Sequence, residues 1–139
     1  MLTIRKSVEV AGALRSSFEL AQTLLPGIGD LGLKIGVEWG TTPITRLGIR
    51  GDRSVRCASS KAVTVSERVQ RQCGSNQTAL GASALAKAPA TIRSAFGHTG
   101  CLSGLDFPAA LAFSTALSAP AIARQASEPA ESHARYPPP

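Results

Sequence analysis

Residues 33–72, LKIGVEWGTTPITRLGIRGDRSVRCASSKAVTVSERVQRQ, are the stretch in which strand periodicity, turn chemistry and helix periodicity follow one another without a break. Leu33, Ile35, Val37 and Trp39 alternate with Lys34, Gly36 and Glu38, the period of two expected of a strand with one buried face. Residues 40–43 turn the chain. Ile44, Leu47 and Ile49 supply a second strand-like run, Gly51-Asp52 marks another turn, and a short third run covers residues 54–58. The three runs predict an antiparallel meander. After them Ser59 or Ser60 caps a helix whose apolar positions Ala62, Val65, Val69 and Cys73 fall three and four apart, and Gly74 stops it.

Working outward, Ile4, Val8, Ala11, Leu14, Phe18, Ala21 and Leu25 recur at the same helical steps, and Pro26-Gly27 ends that helix. A lone helix of this length is marginal in water, so its stripe must be covered, most simply by the meander. Helix followed by sheet predicts an α+β layer. Residues 26–32, PGIGDLG, carry the glycines of a phosphate loop, but they lie after a helix and before a strand and lack Gly-Lys-Ser/Thr. That is the reverse of the order both phosphate-binding motifs need, so the stretch reads as a connection. Residues 76–96 mix small residues with Leu80, Leu85, Ile92 and Phe96, and Pro89 divides them into two short helical turns. His98 has no second ligand or nucleophile near it in sequence and reads as a loop residue. Residues 101–113 fit either a last strand or a short helix. From Ser114 onward alanine, serine and proline dominate, which predicts a folded unit over 1–113 and a disordered tail over 114–139.

Hydrophobic residues make up 43% of the chain but aromatics only 4%, so alanine supplies much of the apolar content and the core is expected to be modest. The net charge of +6 suits an anionic partner: a nucleotide, a nucleic acid or an acidic membrane surface. Its looser concentration comprises Arg46, Arg50, Arg53, Arg56, Lys61, Arg68 and Arg71, with no RNA-binding or zinc-finger signature beside them. Cys57, Cys73 and Cys101 have neither metal-ligand spacing nor a disulfide framework, which points to a reducing cytoplasm. There is no signal-peptide core, and no window approaches the ~18 to 20 consecutive apolar residues of a membrane span. Catalytic sets are scarce: two distant histidines, nine carboxylates without a tight pair, and no nucleophile elbow.

The order of motifs says more. LKIGVEWG, a second strand, then VRCASSKAVTVSERVQ resembles the C-terminal half of a class III nucleotidyl cyclase domain. In that family a strand Arg/Lys-hydrophobic-Gly-hydrophobic-x-x-Gly leads through a hairpin to a helix of the form Val-Asn-x-Ala-x-Arg-Leu. GIRGDRSVRCASSKAV with SERVQRQC, and the alanine-rich AP..IR..FG segment at residues 88–97, is most similar to the bacterial pyrimidine nucleotide cyclases that make cyclic UMP or cyclic CMP in antiphage (Pycsar) signalling. The resemblance covers residues 32–107 and implies a partial ferredoxin-like domain, an antiparallel sheet packed on helices.

It also implies an active site shared between two protomers, a nucleoside triphosphate substrate, and manganese or magnesium held by two aspartates. On the helix, Thr64 stands where many members carry the ribose-orienting asparagine, and Arg68 where they carry the arginine that stabilises charge on the transferring phosphate. Arg56 and Cys57, with Lys61, fall at the substrate-recognition positions. Threonine departs from the amide pattern. Arg68 as a plain solvent-facing helix residue is the alternative. The family's metal aspartates lie upstream of the strand matching residues 33–39. Asp30 directly precedes that strand and Asp52 follows it, so neither occupies a metal position. The expectation is a truncated cyclase-like chain, inactive alone, that pairs with itself or with a complete cyclase protomer. A non-catalytic interaction or nucleotide-binding module is the second expectation, and a nucleic-acid-binding domain the least favoured.

Overall fold

The computed structural model describes residues 3–48 and 54–115. Ile49, Arg50, Arg53, the expected Gly51-Asp52 turn and the tail from residue 116 onward lie outside the described residues. Thr3 caps the first helix, α1 (Ile4–Leu24), its side chain accepting from the Lys6 amide at 3.3 Å. Three strands follow: β1 (Ile35–Val37), β2 (Ile44–Leu47) and β3 (Val55–Ala58). Helix α2 (Lys61–Gln72) begins at Ser60, which is the cap, and β4 (Gln77–Leu80) comes next. The rest is α3 (Ala82–Lys87), α4 (Ala90–Phe96), β5 (Cys101–Ser103) and α5 (Phe107–Thr115).

The class is α+β, as the sequence predicts, but the strands do not form one meander. β1 pairs in parallel with β4, and β4 pairs antiparallel with β5, giving a mixed sheet of order β1-β4-β5. β2 and β3 form a separate antiparallel pair in which Arg46 faces Arg56 and Thr45 faces Cys57. The central strand, β4, falls where short helical turns were expected. Thr78, Ala79 and Leu80 are all buried, so this strand shows no alternation to read, and it is too short for its residues to settle the matter. Pro89 does divide the following stretch, as the cap of α4. Residues 101–113 hold both a strand and a helix rather than one of them.

Both faces of β1 are covered. Ile35 and Val37 pack on the core, while a Cβ at Gly36 would overlap the carbonyl of Ser66, so α2 lies directly on the glycine. Helix α1 packs chiefly on α5 rather than on a meander. Gly12 permits that approach, since a Cβ there would collide with Ala110 and with the Asp106 carbonyl. Ser16 and Asp106 accept from the amides of Phe107 and Ala109, capping α5. Ile4, Val8, Leu80, Ile92, Phe96 and Leu105 form the core with several alanines; five of the twelve buried apolar residues described are alanine. Only the first half of the α1 stripe is buried: Leu14 and Leu25 are exposed, and Arg15 takes a core position.

Candidate nucleotide-recognition site

The β2–β3 pair stands between β1 and α2, and its root is pinned. Thr42, in the turn after β1, shares a 2.8 Å hydrogen bond with the Ser60 hydroxyl, and the same hydroxyl accepts from the Val63 amide. Gly40 lets Ala62 close against that turn. Farther along, the Gln70 side-chain amide donates to the Lys34 carbonyl at 2.9 Å, so α2 is fastened to β1 at both ends. Ala62, Val65, Ser66 and Val69 are partly buried toward the sheet. That orientation puts Lys61, Thr64 and Arg68 together on the exposed face, since steps of three and four return to one side of a helix.

Each expected site residue therefore has a definite place. Lys61 lines a cavity of about 220 Å³ together with Glu38, Trp39, Thr41, Val65 and Ser83. Glu38 closes it: one of its oxygens accepts from the Ala84 amide at 2.8 Å and from the Trp39 amide at 2.6 Å, holding the start of α3. The Thr64 hydroxyl donates to the Ser60 carbonyl at 3.3 Å. Arg68 is exposed and makes no ion pair among the described residues, whereas Arg71 on the next turn is paired with Glu67. Arg56 and Cys57 lie only a few residues before Lys61, but strand alternation puts them on opposite faces of the β2–β3 pair. Arg56 shares its face with Arg46, and half-buried Cys57 shares the other with Leu47 and Val55. A second cleft of about 320 Å³ runs between α1, β1 and α2, walled by Val10, Leu14, Val37 and Val63.

The described carboxylates do not fit a divalent-metal pair. Glu38 is engaged by backbone amides, Glu67 by Arg71, Glu9 by Lys6 and Asp106 by α5, while Glu19 on α1 and Asp30 in the loop after it are exposed. Among the described residues no group of three His, Cys, Asp or Glu side chains comes together. In the glycine-rich stretch 26–32 the carbonyls of Ile28, Gly29 and Leu31 turn inward onto the Gln22 side-chain amide, a loop organised around acceptors rather than anion-binding N–H groups. Behind α2, burial and the adjacent Cys101 thiol push Cys73 up to about 12, against an opposing pull from the Lys34 ammonium.

No protein-family model matches the chain. A uridylate cyclase of a Rhizobium species is 58% identical over 100 residues, 72% of this chain and 19% of the relative. Another uridylate cyclase, of Pseudomonas aeruginosa, is 42% identical over 109 residues, 76% of this chain and 21% of the relative. The solved class III adenylyl cyclase-like ATP-binding protein from Pseudomonas aeruginosa matches with a TM-score of 0.69 at 38% identity, over 79% of this chain and 24% of its own. The chain is pyrimidine cyclase-like, with a class III cyclase-like fold. It spans about a fifth of the length of these curated relatives and about a quarter of the solved one.

Within this cyclase-like chain, sequence reading placed the helix and singled out Lys61, Thr64 and Arg68 on it, but not the face they share or what supports it. Trp39 and Ser83 wall the cavity beside Lys61, and Thr42 fixes the root of the β2–β3 pair. Ser83 carried no signal, because α3 docks there through a carboxylate distant in sequence. Trp39 did carry one, as the chain's single tryptophan at the end of the strand motif. No described helix is long and apolar enough to cross a membrane.

Proposed function

We propose that this chain carries the nucleotide-recognition half of a pyrimidine nucleotide cyclase site, with the carboxylates for catalysis supplied from elsewhere in a longer chain or by a partner protomer. The observation that carries the reading is the shared exposed face of α2, which carries Lys61, Thr64 and Arg68 and whose first residue, Lys61, lines the cavity walled by Trp39. Arg68, unpaired by any described carboxylate, holds a full charge ready for a phosphate, and a guanidinium offers donors in the fork that phosphate oxygens accept. Thr64 gives a hydroxyl one turn earlier, suited to a ribose hydroxyl. Lys61 adds positive charge at the helix start, where the macrodipole also favours an anion, and Arg56 adds charge on the β2–β3 pair beside Arg46. The substrate in this reading is a nucleoside triphosphate, uridine triphosphate first, and the product is released within the cytoplasm.

The test is incubation of the purified chain with manganese and each nucleoside triphosphate, alone and mixed with a full-length pyrimidine cyclase whose phosphate-stabilising arginine has been removed. Cyclic product is separated by chromatography. Product in the mixture alone supports complementation of a shared site by this chain. A folded chain that yields none in any arrangement ends the catalytic reading. A non-catalytic nucleotide-binding module is favoured by the engagement of Glu9, Glu38, Glu67 and Asp106 elsewhere, and it predicts binding of uridine triphosphate in the presence of a metal chelator without turnover.

A further inference from the structure

Two thiols meet behind the cationic face of α2, and nucleotide recognition uses neither. Cys73 caps the C-terminal end of that helix, its amide donating to the Gln70 carbonyl, and the residue is 4% exposed. Cys101 opens β5, is half-buried, and pairs in register with Ala79 of the central strand. The two sulfurs lie 2.7 Å apart although 28 residues separate them in sequence. One closes a helix and the other opens a strand, both elements packed on β4, so their proximity is a property of the fold rather than of a passing side-chain conformation. No third or fourth ligand joins them among the described residues, which removes a metal centre as the explanation.

We infer that Cys73 and Cys101 are a redox pair, joined reversibly by a hydroperoxide or a low-molecular-weight disulfide so that the end of α2 is tied to β5. The half-buried Cys101 reacts first. Its thiolate attacks one peroxide oxygen, the O–O bond breaks, and the departing hydroxide takes up the thiol proton as water, leaving Cys101 as the sulfenic acid. The Cys73 sulfur then attacks the Cys101 sulfur. The S–O bond breaks, the Cys73 proton leaves with the hydroxide as a second water, and one peroxide has oxidised two thiols to one disulfide. With a small disulfide as oxidant, Cys101 forms the mixed disulfide and Cys73 displaces the remaining thiolate. The sulfurs have to close by about 0.7 Å to reach bonding distance. Burial is the larger cause that keeps Cys73 protonated; the first step removes the second, the Cys101 thiol, and the Lys34 ammonium pulls in the same direction as that removal. The inference concerns the thiols alone and does not depend on cyclase activity.

Trypsin separates the three cysteines, because cleavage after Arg56, Lys61, Arg71, Lys87, Arg93 and Arg124 leaves Cys57, Cys73 and Cys101 on different peptides. The reduced full chain is treated with hydrogen peroxide or glutathione disulfide, alkylated and digested without reductant, and its peptides are weighed. The expected result is peptide 72–87 linked to peptide 94–124 with the loss of two hydrogens, reversed by dithiothreitol, while peptide 57–61 stays alkylated. The linked form is expected to melt ~5 °C or more above the reduced form. Cys101→Ser abolishes the link and the shift, and Cys57→Ser retains both. Alkylation of Cys73 and Cys101 under oxidant, a link through Cys57, or a link that lowers the melting temperature overturns the inference. Should Cys101→Ser not fold by circular dichroism, the wild-type peptide map decides the question by itself.

Discussion

At the residue scale the chain places one charge where a core side chain belongs. Arg15 follows Val8 and Ala11 at helical steps and is 1% exposed, with its guanidinium donating to the Asn76 side chain at 3.3 Å and to the Leu33 carbonyl at 3.1 Å. Its Nε finds no partner. Arg15→Ala removes both hydrogen bonds and leaves a cavity, so denaturant unfolding is expected to show a loss of about 2–4 kcal/mol. Arg15→Met, which keeps the volume and drops the buried charge, is expected to stay within about 1 kcal/mol of the wild type. The stripe was legible as 4, 8, 11, 14; that Arg15 rather than Leu14 would complete its buried part was not, because the partners of Arg15 lie on loops far along the chain. Arg68 presents the opposite case, a charge left in solvent. Arg68→Ala is expected to weaken uridine triphosphate binding by calorimetry by roughly 10- to 100-fold, the value of one charge-assisted hydrogen bond, with an unchanged circular dichroism spectrum. Cys73 titrates with a definite sign. Its folded-state value is raised to about 12 from 9.0, so the folded chain holds the proton more tightly than the unfolded one. The stability from this group is complete below pH 9 and is lost as pH climbs toward 12, at up to about 1.4 kcal/mol per pH unit. Denaturation at pH 9 and pH 11 checks this, and Cys73→Ser flattens the difference.

At the scale of elements, α2 is held by contacts that its own sequence only half announces. The Ser60 cap and the inward Val65 and Val69 follow from helix rules and were readable. The surface that receives them was not, because a glycine in a strand reads as a weak strand residue rather than as a seat for a helix. Gly36 is that seat. Gly36→Ala drives a methyl into the Ser66 carbonyl and the Gln70 side chain, and neither can yield without moving α2. The expected loss is about 1–3 kcal/mol, accompanied by weaker nucleotide binding because Lys61, Thr64 and Arg68 all ride on the displaced helix. Ser60→Ala, which removes the cap and the bond to Thr42, is expected to cost about 1 kcal/mol and to loosen the root of the β2–β3 pair. Equilibrium unfolding and amide exchange through residues 61–64 measure the two effects. The mixed sheet shows the same limit of local reading from another side. Strand partners separated by the whole of α2 are chosen by packing, and Thr78, Ala79 and Leu80 take their place in the centre only once α2 and the core close over them.

Over the whole molecule, the alanine-rich core leaves much apolar surface outside. Val10, Leu14, Leu20, Leu24 and Leu25 are all between 48% and 70% exposed, and they run along α1 from its second turn to its C-cap. Val10 and Leu14 also wall the cleft between α1, β1 and α2, so this strip is continuous with a groove. On its other side β1 has β4 as its sole strand partner among the described residues, which leaves the strand edge beside that groove without a ladder. Apolar surface next to an open strand edge promotes association, since the same step removes hydrocarbon from water and satisfies backbone groups. The net charge of +6 opposes it through long-range repulsion that salt screens. The balance predicts a chain that is more associated at high ionic strength than at low, the reverse of a complex held by charge. Sedimentation velocity across a salt series is the direct check: the weight-average mass should rise with sodium chloride. Val10→Lys with Leu14→Glu should hold it at the monomer, because both side chains are already exposed and carry little of the fold's stability. A mass that falls as salt rises would place the contact on the basic face of α2 or on the Arg46 and Arg56 pair instead, and the apolar strip of α1 would then have no part in it.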